Sequence, residues 1–429
     1  MIENIFLFLF IVRPIVDLAW QKSLFMGMNL AGLMAILIIL MTVVYFPFRM
    51  GTKYSFTFIS GLIYIFYICL CTVLNCTTFD DFNYFLRLLS EFSFLVIVAP
   101  RLSLNKINQV MGFFVIVTLV PIFITFLQVA GVVKYTYFDY LMGTVISRGS
   151  GGYRQPSVLT RFCSIGLLYA LYLLEIIGKR DKRRIFLWAY IGLNLAAVIF
   201  SYHRTGYFLV VFIIGLWFFL KDKKRALKLL LRGTAALCGM LIVFVLLYKL
   251  QLISVKITVL KEMLSFSNIV SRNADGSING ILRGRGKILN DLFEGFRTNP
   301  FRYTLFGNGV NENPVTHIAI VGADMELIRV LWNGGIIGAM LWFTHFVSMF
   351  EDIVRWRKEK GINVFYRLAM VMFWCFIVWG LCIEATESPD LMYHVYLVCG
   401  WLCFSKNGKS SNWGIVRLNE KSIVYINVL

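Results

Sequence analysis

Three arginines, Arg161, Arg204 and Arg329, each lie about one helical turn from a long apolar run. A charge at mid-membrane costs roughly 2.5–3.5 kcal/mol, less near the interface, and normally faces a cavity or a partner. The alternative is a side chain that reaches out to the lipid headgroups. Arg148, Arg154, Arg283, Arg285 and Lys287 cluster in or beside glycine-containing segments, whereas Arg272, Arg297 and Arg302 read as solvated surface residues. Several guanidinium groups aimed at one cavity suit a ligand with two or three negative charges. They grip phosphate oxygens in bidentate pairs and stay charged at any relevant pH. They also stabilise charge on a departing pyrophosphate without a metal.

Other residue types are sparser. The stretch SRGSGGYRQPS at 147–157 carries Arg148 and Arg154 on either side of its glycines, which permit tight turns and close ligand approach. It lacks the GK[ST] ending of a nucleotide-binding loop, and no strand is expected before it. Tyr153 is a candidate for stacking on a sugar or for an interfacial aromatic. His317 and His203 could each act as a general base or sit at the surface. His345 and His394 fall inside apolar runs and read as packing or hydrogen-bonding residues. Asp324 precedes an apolar run, as a helix cap or as a group that orients a sugar hydroxyl or takes its proton. Asp80 with Asp81, and Glu384 with Glu387, are acid pairs of the kind used in glycosidases or at divalent metals, although neighbouring loop acids are common. No HExxH, GxSxG or CxxC motif supports a protease, an esterase or a zinc site. The nine cysteines lie almost entirely in apolar runs and behave as small apolar side chains.

The elements that must position these groups are membrane helices. The chain of 429 residues is 59% hydrophobic and only 15% charged, too few charges to cover a soluble surface. Hydropathy predicts about twelve spans, near 4–20, 27–46, 55–75, 83–100, 110–133, 157–178, 185–201, 205–220, 229–250, 326–350, 363–383 and 390–404. The first apolar stretch meets Arg13, Pro14 and Asp17 and reads as an imperfect span, not a cleaved leader. The net charge of +19 reflects basic loops, not nucleic-acid binding.

GKRDKRR at 178–184, KDKKRALK at 221–228, the run ending at Lys360 and the tail after Ser405 are strongly basic. One even-numbered topology puts all four in the cytoplasm, together with both termini. Helices one to nine then fill 1–250, a large outer loop fills 251–325, helices ten to twelve fill 326–404, and 405–429 is a cytoplasmic tail. Residues 134–156 and the SYHRT corner at 201–205 also face outward. Within the large loop, Ile288, Leu289, Leu292, Phe293 and Phe296 share one helical face, and Asn299-Pro300 stops that helix. Gly334, Gly335 and Gly338 suit close packing of a span.

The stretch from Arg285 to Phe343 resembles the shared region of the O-antigen ligase and polymerase superfamily. An arginine opens an amphipathic helix, a turn Phe306-Gly307-Asn308-Gly309 follows, and Asp324 leads into a span marked by Ile328, Leu331, Gly335 and Gly338. Arg148, Gly151 or Gly152, and Pro156 resemble a second family loop, and Ser201, Arg204, Thr205 and Gly206 a third. The resemblance implies an all-α, GT-C-like membrane glycosyltransferase fold in a bacterial inner membrane, with a periplasmic cavity and no metal or other cofactor. It implies transfer of a glycan from undecaprenyl pyrophosphate to a sugar hydroxyl. Arg148, Arg204 and Arg285, with Arg154 and Arg283, are implied to grip the pyrophosphate, and a chain-length regulator is an expected partner. Ligases usually carry a histidine-asparagine pair where this chain has Asp324-Met325, which favours a polymerase acting on a second lipid-linked unit. The base is left open among Asp324, His317 and no protein group.

Overall fold

The computed structural model describes residues 2–19, 23–25, 28–45, 55–75, 79–98, 102–136, 138–141, 144–222, 285–308, 326–381 and 388–405. These form helices α1 (Ile2–Val16), α2 (Leu30–Tyr45), α3 (Phe56–Asn75), α4 (Phe79–Val98), α5 (Leu104–Val117), α6 (Leu119–Val129), α7 (Pro156–Ile176), α8 (Arg183–Phe200) and α9 (Arg204–Lys221). Beyond them come α10 (Arg285–Thr298), α11 (Phe301–Phe306), α12 (Glu326–Lys360), α13 (Val364–Gly380) and α14 (Pro389–Ser405). A single 3-10 turn (Asp17–Ala19) follows α1, and there are two small antiparallel hairpins: β1 (Ser23–Phe25) with β2 (Met28–Asn29), and β3 (Phe138–Leu141) with β4 (Thr144–Ser147).

Among the described residues, six helical stretches are long and apolar enough to cross a membrane: α3, the α5–α6 rod, α7, α8, α9 and α12. The chain is therefore a helical, membrane-embedded protein. The predicted segments coincide with these helices and with α1, α2, α4, α13 and α14, while 229–250 lies outside the described residues. Asp80 and Asp81 fall in the first turn of α4, not in a loop.

Local chemistry sets the ends. Ser103 caps α5 by accepting from the Lys106 N–H, and Asn363 caps α13 by accepting from the Tyr366 N–H at 2.7 Å. Pro156 opens α7 at a position where its missing N–H costs nothing. Arg184 donates to the carbonyls of Leu174 and Ile177, which α7 leaves unmatched at its end. In a membrane such groups have no water to turn to.

α7 is the central helix, buried along almost its whole length. It packs on α5, α8, α9, α13 and α14, while α3 lies along α12 and α4 lies between α2 and α14. The core is strongly aromatic: Phe94 stacks on Tyr393, and Phe114 meets the edges of Tyr169 and His394. His394 bonds the Tyr169 hydroxyl, and His345 lies between the Thr57 carbonyl and the Tyr396 hydroxyl. Both histidines thus have the internal role expected of them.

Candidate functional site

The helix directions put two sets of charges at opposite ends of the bundle. One end carries Glu175, which meets Arg367 from α13 and Lys221 from α9. Asp181, Arg183, Asp352, Arg355 and the basic end of α12 lie on the same side. Asp181, in the α7–α8 connection, accepts from the backbone and guanidinium of Arg183, which holds its carboxyl below the usual range. The other end carries Arg148, Arg161, Arg204 and Asp390, and it is the candidate site.

The glycine loop is fastened there by its own backbone. The Gly149 N–H donates to the Phe200 carbonyl at the end of α8. Gln128, buried at the end of α6, accepts from the N–H groups of both Ser150 and Gly151 through one oxygen, each at 3.1 Å. Arg148, only 5% exposed, is thereby held beside the Ser201 corner. The Phe200 carbonyl that Gly149 meets lies four residues before Arg204, the first residue of α9. Two of the arginines expected from sequence are thus brought to one corner by two segments far apart in the chain. Arg154 is solvent-exposed at the end of the same loop. A short strand, β4, does precede the loop, against expectation, but the helix starts only at Pro156 and no phosphate-binding strand–loop–helix turn forms.

His203 spends its lone pair locally. Its Nδ1 accepts the Gly206 N–H at 3.2 Å as the cap of α9 and lies 3.0 Å from the Thr160 hydroxyl. A ring nitrogen engaged in this way is badly placed to take a substrate proton. His203 stacks on Trp379, and Arg161 lies over the same indole. Arg161 is also paired with Asp390 at the start of α14, and Arg13 with Asp17 at 2.9 Å. The first apolar segment therefore carries its charges as a buried pair. Tyr153 is buried under that segment and donates to the Pro14 carbonyl at 2.8 Å, so it does not face a sugar.

The second construction at this end is the break in α12. Gly335 has φ 63° and ψ −164°, which interrupts the helix. Gly307 fits against the break, and the Asn308 N–H donates to the Trp332 carbonyl at 2.8 Å. Tyr67 of α3 directs its hydroxyl to the carbonyls of both Phe306 and Gly334. Asn299 donates to Asn308, and Trp332 lies against Gly295 of α10. The amphipathic helix and its stop at Asn299-Pro300 match the spacing-based expectation, with Arg285 as the first residue of α10. Arg283, His317 and Asp324 lie outside the described residues.

Asn333 sits just before the break, 3% exposed, and neither its amide nitrogen nor its oxygen finds a hydrogen-bond partner among the described residues. Each such orphan costs about 1–3 kcal/mol. An apolar groove of about 320 Å³ runs between α12 and α13, lined by Trp342, Phe343, Phe346, Phe350, Phe373 and Trp374. Among the described residues, no group of three His, Cys, Asp or Glu side chains is placed to hold a metal ion.

No protein-family model matches the chain, and no curated protein does.

Proposed function

We propose that this chain is a polysaccharide repeat-unit polymerase with about twelve spans and a GT-C-like fold, working on the outer face of a bacterial inner membrane. The observation that carries the reading is the meeting of the glycine loop with the Ser201 corner, which sets Arg148 and Arg204 at one end of the bundle. The basic residues at the opposite end, Arg183, Lys221 and Lys360 among them, agree with a cytoplasmic face there. The groove between α12 and α13 suits the isoprenoid chain of a lipid-linked donor.

In the proposed reaction, a hydroxyl oxygen of the acceptor sugar attacks the anomeric carbon of the donor glycan. The bond from that carbon to the pyrophosphate oxygen breaks, and its electron pair leaves with undecaprenyl pyrophosphate. Arg148, Arg204 and Arg285, with Arg154 and Arg283, balance that charge. The hydroxyl proton passes to Asp324, His317 or water. In-line displacement inverts the anomeric centre. A product that keeps the configuration of the donor linkage refutes that step.

The test is a gel of lipid-linked and surface glycan from cells lacking the gene, restored with wild type or Arg204→Ala. A polymerase leaves single repeat units on the surface in the deletion, and Arg204→Ala does the same. Polymer that accumulates on the lipid carrier identifies a ligase. Single lipid-linked units trapped on the cytoplasmic side identify a flippase.

A further inference from the structure

We infer that Asn333, at the break in α12, is a sugar-contacting residue distinct from the arginine corner. The inference rests on the polymerase reading for the identity of the sugar, but its chemistry comes from the amide. Among the described residues, Asn333 is the one buried side-chain amide with both its donor and its acceptor unmatched. A ligand that completes it must both give and take hydrogen bonds. A phosphate only accepts and leaves Oδ1 orphaned. A hydroxyl-bearing ring does both, and adjacent hydroxyls can engage the two ends of one amide.

The surroundings are polar. Glu326, Arg329 and Asn333 stand at i, i+3 and i+7 on one face of the first turns of α12, so the helix carries a polar stripe that ends at the break. The adjacent Trp332 indole N–H also lacks an acceptor among the described residues. Interrupted helices are tolerated at membrane depth where they are buried in protein or line a cavity. Transporter spans broken in this way place ligand sites at the break. At the break the backbones of Gly335 and Gly307 touch, so the path of the chain around Asn333 is set by packing before any ligand arrives.

The experiment uses purified full-length protein and two probes, the free repeat-unit oligosaccharide released from the cognate polymer and inorganic pyrophosphate. Melting midpoints are compared for wild type and Asn333→Leu, which keeps the γ-branched shape and removes both polar ends. The expected result is an oligosaccharide-induced rise in wild type that Asn333→Leu loses, with any response to pyrophosphate equal in the two. With lipid-linked substrate, the apparent KM of Asn333→Leu rises about tenfold or more, the worth of one or two lost hydrogen bonds. If Asn333→Leu does not fold, Asn333→Ser, which keeps one hydroxyl, is expected to give an intermediate KM. An oligosaccharide response that is equal in both proteins, or missing from wild type, overturns the inference, as does a pyrophosphate response lost on mutation. Failure of the polymerase reading is separate: wild type then makes no polymer, whatever the sugar-binding result.

Discussion

Replacing Gly335 with alanine puts a methyl group where the chain has no space for one. The ideal Cβ would lie 2.5 Å from the Gly307 nitrogen and 2.5 Å from the Leu305 carbonyl oxygen. Both are backbone atoms and cannot swing aside. The dihedrals add a second cost, because φ 63° with ψ −164° belongs to glycine. Backbone strain contributes about 1–3 kcal/mol and overpacking about 1–3 kcal/mol more. The two together give a loss of about 4 kcal/mol. Gly192 supplies the control: it is helical, and nothing lies within 4 Å of its added Cβ. Gly192→Ala is expected to gain about 0.5–1 kcal/mol, the helix-propensity difference. Thermal unfolding of the two variants in one detergent, followed by intrinsic fluorescence, should separate them on opposite sides of wild type. If Gly335→Ala melts with or above Gly192→Ala, the break in α12 is not a fixed feature, and the case for a preset Asn333 fails with it.

Three further outcomes follow from the charge pairs. Asp390→Asn leaves Arg161, whose side chain is 11% exposed, without its carboxylate, and should destabilise by about 3 kcal/mol. The double variant Arg161→Met with Asp390→Asn should recover most of that in the same melting assay. Glu175→Gln should cost about 3 kcal/mol because Arg367 is buried, whereas Lys221→Ala, half in solvent, should change stability by about 0.5 kcal/mol or less. Asp181 has a carboxyl held low by Arg183, so its contribution is present above the ordinary carboxylate pKa and fades as pH falls through the depressed value. The small difference in melting midpoint between wild type and Asp181→Asn at neutral pH should therefore vanish in strong acid.

Hydropathy located the helices because burial in lipid is a property of each segment by itself. The same holds for α10, where Leu292 and its neighbours mark one face, and for His345 and His394, whose apolar surroundings announce an internal role. Partnerships between remote helices leave no such local mark. Arg161 stands out in sequence as a charge beside a span, yet nothing near it points to Asp390, 229 positions away. Glu175 and Arg367, 192 positions apart, are equally silent. Tyr153 looks like a surface ring because its loop is polar, and only packing under the first helix buries it. The glycines of 334–338 were legible as a close-packing signal. Which of them turns the chain depended on Gly307, a residue of another element. Asn333 carries no motif, and its interest arises only from what its amide fails to meet.

The glycine loop is gripped through main-chain N–H groups: Gly149 on Phe200, and Ser150 with Gly151 on Gln128. Hydrogen bonds of this sort are indifferent to the identity of the side chains that the loop displays. A position such as Gln155, exposed at its far end, can therefore be rewritten while the path of the loop is inherited unchanged. The surface that the loop displays can change by drift at such a position, without rebuilding the scaffold beneath it.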